Sequence, residues 1–122
     1  MPTINDFFFT IDKPSSPRHL RVIDQYKDFI TIAWDPPKHD GGAAISGYII
    51  EKCDASRKMW MQAAEIGAES NKFKVTKLIE GNEYMFRVAA KNSVGTGSFG
   101  TMEESVQATL PFGEFSLNPT IV

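Results

Sequence analysis

The sequence predicts an all-β sandwich, on three observations. Apolar and polar residues alternate in short runs along 14–110. No window holds an apolar period near 3.6, so helices are not expected. Clusters of Pro, Gly, Asp and Asn separate the runs at short intervals. Seven such runs in about 95 residues is the spacing of two packed antiparallel sheets.

Taken in order, Leu20-Arg21-Val22 alternates apolar and charged and forms the first strand. Ile30-Thr31-Ile32-Ala33-Trp34 puts Ile30, Ile32 and Trp34 on one face. Pro36-Pro37 stops it, because proline cannot continue a central ladder. Asp40-Gly41-Gly42 marks a loop, and Gly47–Lys52 is the third strand, with Tyr48 and Ile50 inward. Lys58–Ala64 is the fourth and carries Trp60, which either packs inward or lies flat under Lys58 or another long side chain. Lys72–Thr76 alternates cleanly with Phe73 and Val75 inward. Tyr84–Ala90 does the same with Tyr84, Phe86, Val88 and Ala90. Val106-Gln107-Ala108 is the last strand. Prolines at 14, 17 and 111 bound the domain, leaving a leader at 1–13 and a trailer at 111–122.

Composition removes several functions. With 13 Lys+Arg against 15 Asp+Glu the net charge is −2, without the basic footprint of a nucleic-acid binder. No uncharged apolar run approaches the roughly 18 residues of a membrane span. Phe7-Phe8-Phe9 is too short for a signal-peptide core, and its flanks are acidic. The single cysteine, Cys53, excludes an internal disulfide framework and is expected as a free thiol with outward parity.

No motif assembles chemistry. His19, His39 and Cys53 form no nucleophile–base arrangement, and one Cys with two His matches no zinc spacing. Asp35, His39 and Asp40 are the one set in reach of a metal by sequence, and turn capping explains the aspartates better. Gly95-Thr96-Gly97 is followed by a strand rather than by a helix able to receive phosphate, so its glycines serve a tight turn. No cofactor is expected.

Two outward faces differ in chemistry. One carries Arg21, Thr31, Ala33, Lys72 and Lys74 and is a candidate basic face. The other carries Ile49, Glu51, Met85, Arg87 and Ala89. There Ile49 and Met85 are expected on neighbouring strands as an apolar pair flanked by charge, a candidate protein-binding face. The Phe7–Ile11 stretch, and Phe112, Phe115 and Leu117 in the trailer, are too apolar for solvated linkers.

Several of these segments resemble a fibronectin type III domain, a seven-stranded immunoglobulin-like sandwich, over most of 14–110. Trp34 resembles the family's core tryptophan, and Leu78-Ile79-Glu80-Gly81-Asn82-Glu83-Tyr84 its tyrosine corner. Phe86–Asn92 followed by Val94-Gly95-Thr96-Gly97 is similar to its strand and turn beyond that corner. The core so implied is Trp34, Tyr48, Ile50, Leu78, Tyr84, Phe86 and Val88. Trp34-Asp35-Pro36-Pro37, Asp40-Gly41-Gly42, Gly47–Lys52 and Trp60 resemble the subgroup found in the giant proteins of the muscle sarcomere. Ala44 and Ser98-Phe99 depart from that subgroup's pattern, in loops.

The resemblance implies a non-catalytic structural and interaction module of a large cytoplasmic muscle protein. It would be monomeric in isolation, flanked by immunoglobulin or fibronectin type III neighbours, with myosin or the thick filament as partner and no nucleic acid or membrane. An extracellular adhesion module and a domain flanking a kinase are the alternatives. The absence of an Arg-Gly-Asp triplet, and the proline inside Asn118-Pro119-Thr120, weigh against the extracellular one.

Overall fold

The computed structural model describes residues 10–111 of the chain. The strands are β1 (Arg18–Tyr26), β2 (Phe29–Asp35), β3 (Gly47–Asp54), β4 (Met59–Gly67), β5 (Lys72–Val75), β6 (Glu83–Lys91), β7 (Thr96–Thr101) and β8 (Val106–Gln107). They form two antiparallel sheets. One has the order β1-β2-β5, the other β4-β3-β6-β7 with β8 also paired to β6.

The alternation read from sequence is the alternation of the folded strands. Ile30, Ile32 and Trp34 of β2, Tyr48 and Ile50 of β3, and Tyr84, Phe86 and Val88 of β6 are all buried, with Leu78 closing the core at the corner before β6. Apolar side chains from the inner faces of both sheets meet there, and that burial is the main stabilising force of a sandwich. The Trp34 and Tyr48 rings meet edge-on across the sheets, 5.3 Å between centroids at 63°. This geometry sets a ring's positive edge against its neighbour's negative face. Burial raises the Tyr48 phenol pKa, with the Trp34 indole acting in the opposite sense.

Details of the strands and of three outward-facing positions differ from expectation. The predicted sandwich stands, with the last strand at Val106–Gln107 reduced to a two-residue bridge, β8, and preceded by β7, which supplies the main partner of β6 beyond the turn. Ala33 and Ala89 have outward parity but are buried, at 6% and 0% exposure. A one-carbon side chain in the middle of a rung is covered by its larger neighbours. Cys53 is a free thiol as expected, yet buried despite its outward parity. On its rung it lies between Trp60 and Met85. Phe7–Phe9 and Phe112–Val122 lie outside the described residues. Ile11 is described and exposed.

Glycines are required where β7 meets the segment before β1. A Cβ on Gly97 would run into the Pro14 carbonyl, and one on Gly100 into the Pro17 carbonyl. Backbone approaches this close are open only to a residue without a side chain.

Candidate functional site

On the outer face of β4-β3-β6-β7 the register sets Ile49 beside Ala89, Glu51 beside Arg87, and Cys53 beside Met85. Ile49 and Met85 are therefore on neighbouring strands, but the Glu51–Arg87 rung separates them. The expected apolar pair flanked by charge is instead a charged pair flanked by apolar residues. Arg87 Nε and Nη2 donate to Glu51 Oε1 at 2.9 and 2.7 Å. The guanidinium also lies over two rings, 4.3 Å from the Trp60 centroid and 4.2 Å from that of Phe99. The planar cation thus has a carboxylate hydrogen-bonded to two of its nitrogens and two aromatic faces against it, an arrangement that suits arginine better than lysine. Trp60 takes the second reading, flat against a long side chain, and that side chain is Arg87 rather than Lys58. Phe99 was not legible as its partner, because β7 itself was not.

On the outer face of β1-β2-β5, Arg21, Ala33 and Lys72 form one rung, and Asp24, Thr31 and Lys74 the next. Structure thus gathers the three expected cations, with acids among them. Arg21 Nη1 donates to the His19 carbonyl at 2.8 Å and to Asp35 Oδ1 at 3.3 Å. Lys74 Nζ lies 4.2 Å from the centroid of the Phe29 ring. Lys72 is exposed.

Asp35 does not gather with His39 and Asp40. A bulge in β1 puts His19 in left-handed backbone, φ 54°, and its Nδ1 lies 2.6 Å from Asp35 Oδ2. That hydrogen bond first, then Arg21, holds the Asp35 pKa below its ordinary value against the opposing effect of desolvation. Asp40 Oδ1 accepts from the Gly42 amide, the turn-capping role expected of it. Among the described residues no three His, Cys, Asp or Glu side chains are arranged to hold a metal.

Two polar hubs close the ends of the sandwich. At one end Asn92, 4% exposed, donates from Nδ2 to the carbonyls of Asp12 and Asp40, both at 2.8 Å. Its Oδ1 accepts from the amides of Val94 and Gly95. One amide side chain thereby joins the approach segment, the β2–β3 loop and the β6–β7 turn. Sequence reading missed this role; the signal was an Asn leading a turn punctuated by Gly95 and Gly97. At the other end Tyr84 Oη accepts from the Ile79 amide at 2.9 Å, the tyrosine corner the sequence announces. The Ala108 amide donates to the Asn82 carbonyl beside it. Asp54 caps the nearby β3–β4 turn by accepting from the Ser56 amide and hydroxyl, and Asn82 Nδ2 donates to its other oxygen.

Comparison with known proteins agrees with this geometry. The model of the fibronectin type III domain matches residues 15–106. Titin of Drosophila melanogaster is 42% identical over 85 residues, which is 70% of this chain and 0%, to the nearest per cent, of that protein. Slow-type myosin-binding protein C of Homo sapiens is 34% identical over 109 residues, 89% of this chain and 10% of that protein. The chain thus spans a tenth or less of these relatives. Among solved structures, the twitchin kinase region of C. elegans aligns with TM-score 0.75 at 25% identity, over 80% of this chain and 17% of that one. With its corner tyrosine, core tryptophan and two-sheet topology, the chain belongs to the fibronectin type III family.

Proposed function

We propose that this chain is a non-catalytic module of a large cytoplasmic muscle protein. It sits in series with immunoglobulin and fibronectin type III neighbours in the sarcomere, and acts as a spacer that touches the thick filament. The observation that carries this reading is the placement of entry and exit. The approach segment is held at the Asn92 end, and the chain leaves past Ala108 at the Asn82 end. Between these ends runs β6, nine residues long, or about 30 Å at roughly 3.4 Å per residue. A domain entered and left at opposite ends adds its length to an array. The likeness to proteins of striated muscle supports the setting.

The thick-filament contact is assigned to Arg21, Lys72 and Lys74, with myosin as the partner. Lys72 and Lys74 make no ion pair among the described residues, whereas Glu51 and Arg87 satisfy one another. The test is an NMR titration of the labelled 122-residue chain with a myosin tail fragment at low and moderate salt. Shifts at Arg21, Lys72 and Lys74 that fade as salt rises are expected. Shifts at Ile49, Met85 and Arg87 would move the contact to the other face. No shift would leave the spacer role alone.

The likeness to the twitchin kinase region favours a second reading, a domain flanking a kinase. Deleting residues 1–13 from a parent that carries the kinase should then change its activity; unchanged activity removes this reading.

A further inference from the structure

The sheets are unequal, and the larger one overhangs. Lys52 pairs with Met61, and Asp54 with Met59, on the side of β3 and β4 that also carries Tyr48 and Ile50. These positions have core-facing parity. The opposing sheet ends at β5, which is only four residues long, so the far ends of β3 and β4 have no sheet across from them. Met59 and Met61 consequently emerge 61% and 51% exposed, with Ile79 at 60% beside them. Beneath the overhang lies a cleft of about 240 Å³ lined by these three residues. A second cleft of about 360 Å³ continues it past Met61 to Phe73 on β5.

The charge around this apolar floor is one-sided. Lys52, Arg57 and Lys77 rim the first cleft, with Asp54 the one carboxylate in its wall. Asp54 is already engaged by Ser56 and Asn82. Lys52 and Lys77 make no ion pair among the described residues. β4 also pairs with β3 alone there, so one edge of its backbone is open to a further strand. Methionine thioethers suit a surface that adapts to varied apolar side chains.

We propose that the cleft under β4 docks an extended acidic segment of a partner polypeptide, whose cleft-facing positions carry both apolar and acidic side chains. Its backbone adds to the open edge of β4. The side chains turned to the cleft include apolar ones that pack on Met59, Met61 and Ile79 and carboxylates that meet Lys52, Arg57 and Lys77, which line the same cleft. A second copy of this chain is disfavoured as occupant, because pairing β4 with β4 would set those cations against themselves. The proposal is independent of the filament contact, which uses the opposite side of the β1-β2-β5 sheet.

The test uses the 122-residue chain with labelled methionine methyls. The probe is a blocked peptide repeating Val-Thr-Glu-Thr, which sets Val and Glu on one face of a strand, and its Val-Thr-Lys-Thr counterpart is the control. With the acidic peptide, the methyl signals of Met59 and Met61 should move while those of Met85 and Met102 stay, and the β4 amides should gain exchange protection. Lys52→Glu with Lys77→Glu should weaken binding at least about tenfold at an unchanged melting temperature. If that pair fails to fold, Lys52→Gln with Lys77→Gln serves, with a smaller loss expected. Four outcomes overturn the proposal: no shift up to millimolar peptide, equal binding of the lysine counterpart, undiminished binding by a folded variant, or self-association through β4 in sedimentation.

Discussion

Asp35 and Asp54 show how single side chains set the acid limb of stability. Hydrogen bonds from Ser56 hold the Asp54 carboxyl below its ordinary pKa, and the contact with His19 does the same for Asp35. A group with a lowered folded pKa binds fewer protons when folded than when unfolded. Its stabilisation is present above the ordinary carboxylate pKa, about 3.9, and is lost as pH falls through the folded value. The melting temperature should therefore drop as pH falls below about 4, and less steeply in Asp35→Asn, Asp54→Asn and the double variant. Melts followed by circular dichroism across that range test this; identical slopes would exonerate both carboxylates. At this scale sequence reading did well wherever alternation decides. It placed Trp34, Tyr48, Phe86 and Val88 inside. It failed at Ala33, Ala89 and Cys53, because parity gives the direction of a side chain and not what covers it. The contact of Arg87 with both Trp60 and Phe99 depends on the register of the four strands β4, β3, β6 and β7, which no local pattern encodes.

Among the elements, β7 was the hardest to see. Thr96-Gly97-Ser98-Phe99-Gly100-Thr101 is rich in small residues and reads as loop. Its glycines answer a tertiary demand, the backbone of Pro14 and Pro17 lying against the strand. Gly97→Ala should force that segment off β7, costing about 1–3 kcal/mol by analogy with overpacking. Amide exchange at Ser15, whose N–H now donates to the His39 carbonyl, should quicken. Gly81→Ala is the control: φ there is 91° but no atom lies within 4 Å of the added carbon, so it should cost backbone strain without loosening Ser15. Equal exchange rates in the two variants would show that the close approach is not needed. The strand that overhangs, β4, was found with its start and end shifted. Its unpaired edge followed only from the sheet order.

Over the whole molecule, the sequence predicts an all-β sandwich, and the two antiparallel sheets are that fold. What sequence could not supply was the tie between ends and body, because Asn92 reaches residues 80 and 52 positions away in the chain. Asn92→Ala would leave the Asp12 and Asp40 carbonyls and the Val94 amide without their partner. The expected loss is about 1–3 kcal/mol for the buried groups concerned, read in urea melts. Faster exchange at Asp12, whose amide donates to Gly41, should accompany it. A destabilised variant with Asp12 still protected would assign the tether to the Gly41 bond alone. The tether also has a geometric consequence. Each residue of slack would lengthen a linker's reach by about 3.3–3.6 Å and widen the cone through which a preceding body can swivel. Clamping Asp12 to the flank of the loop end removes the slack between it and β1, so the chain ahead of Asp12 sets out from a fixed point on this domain.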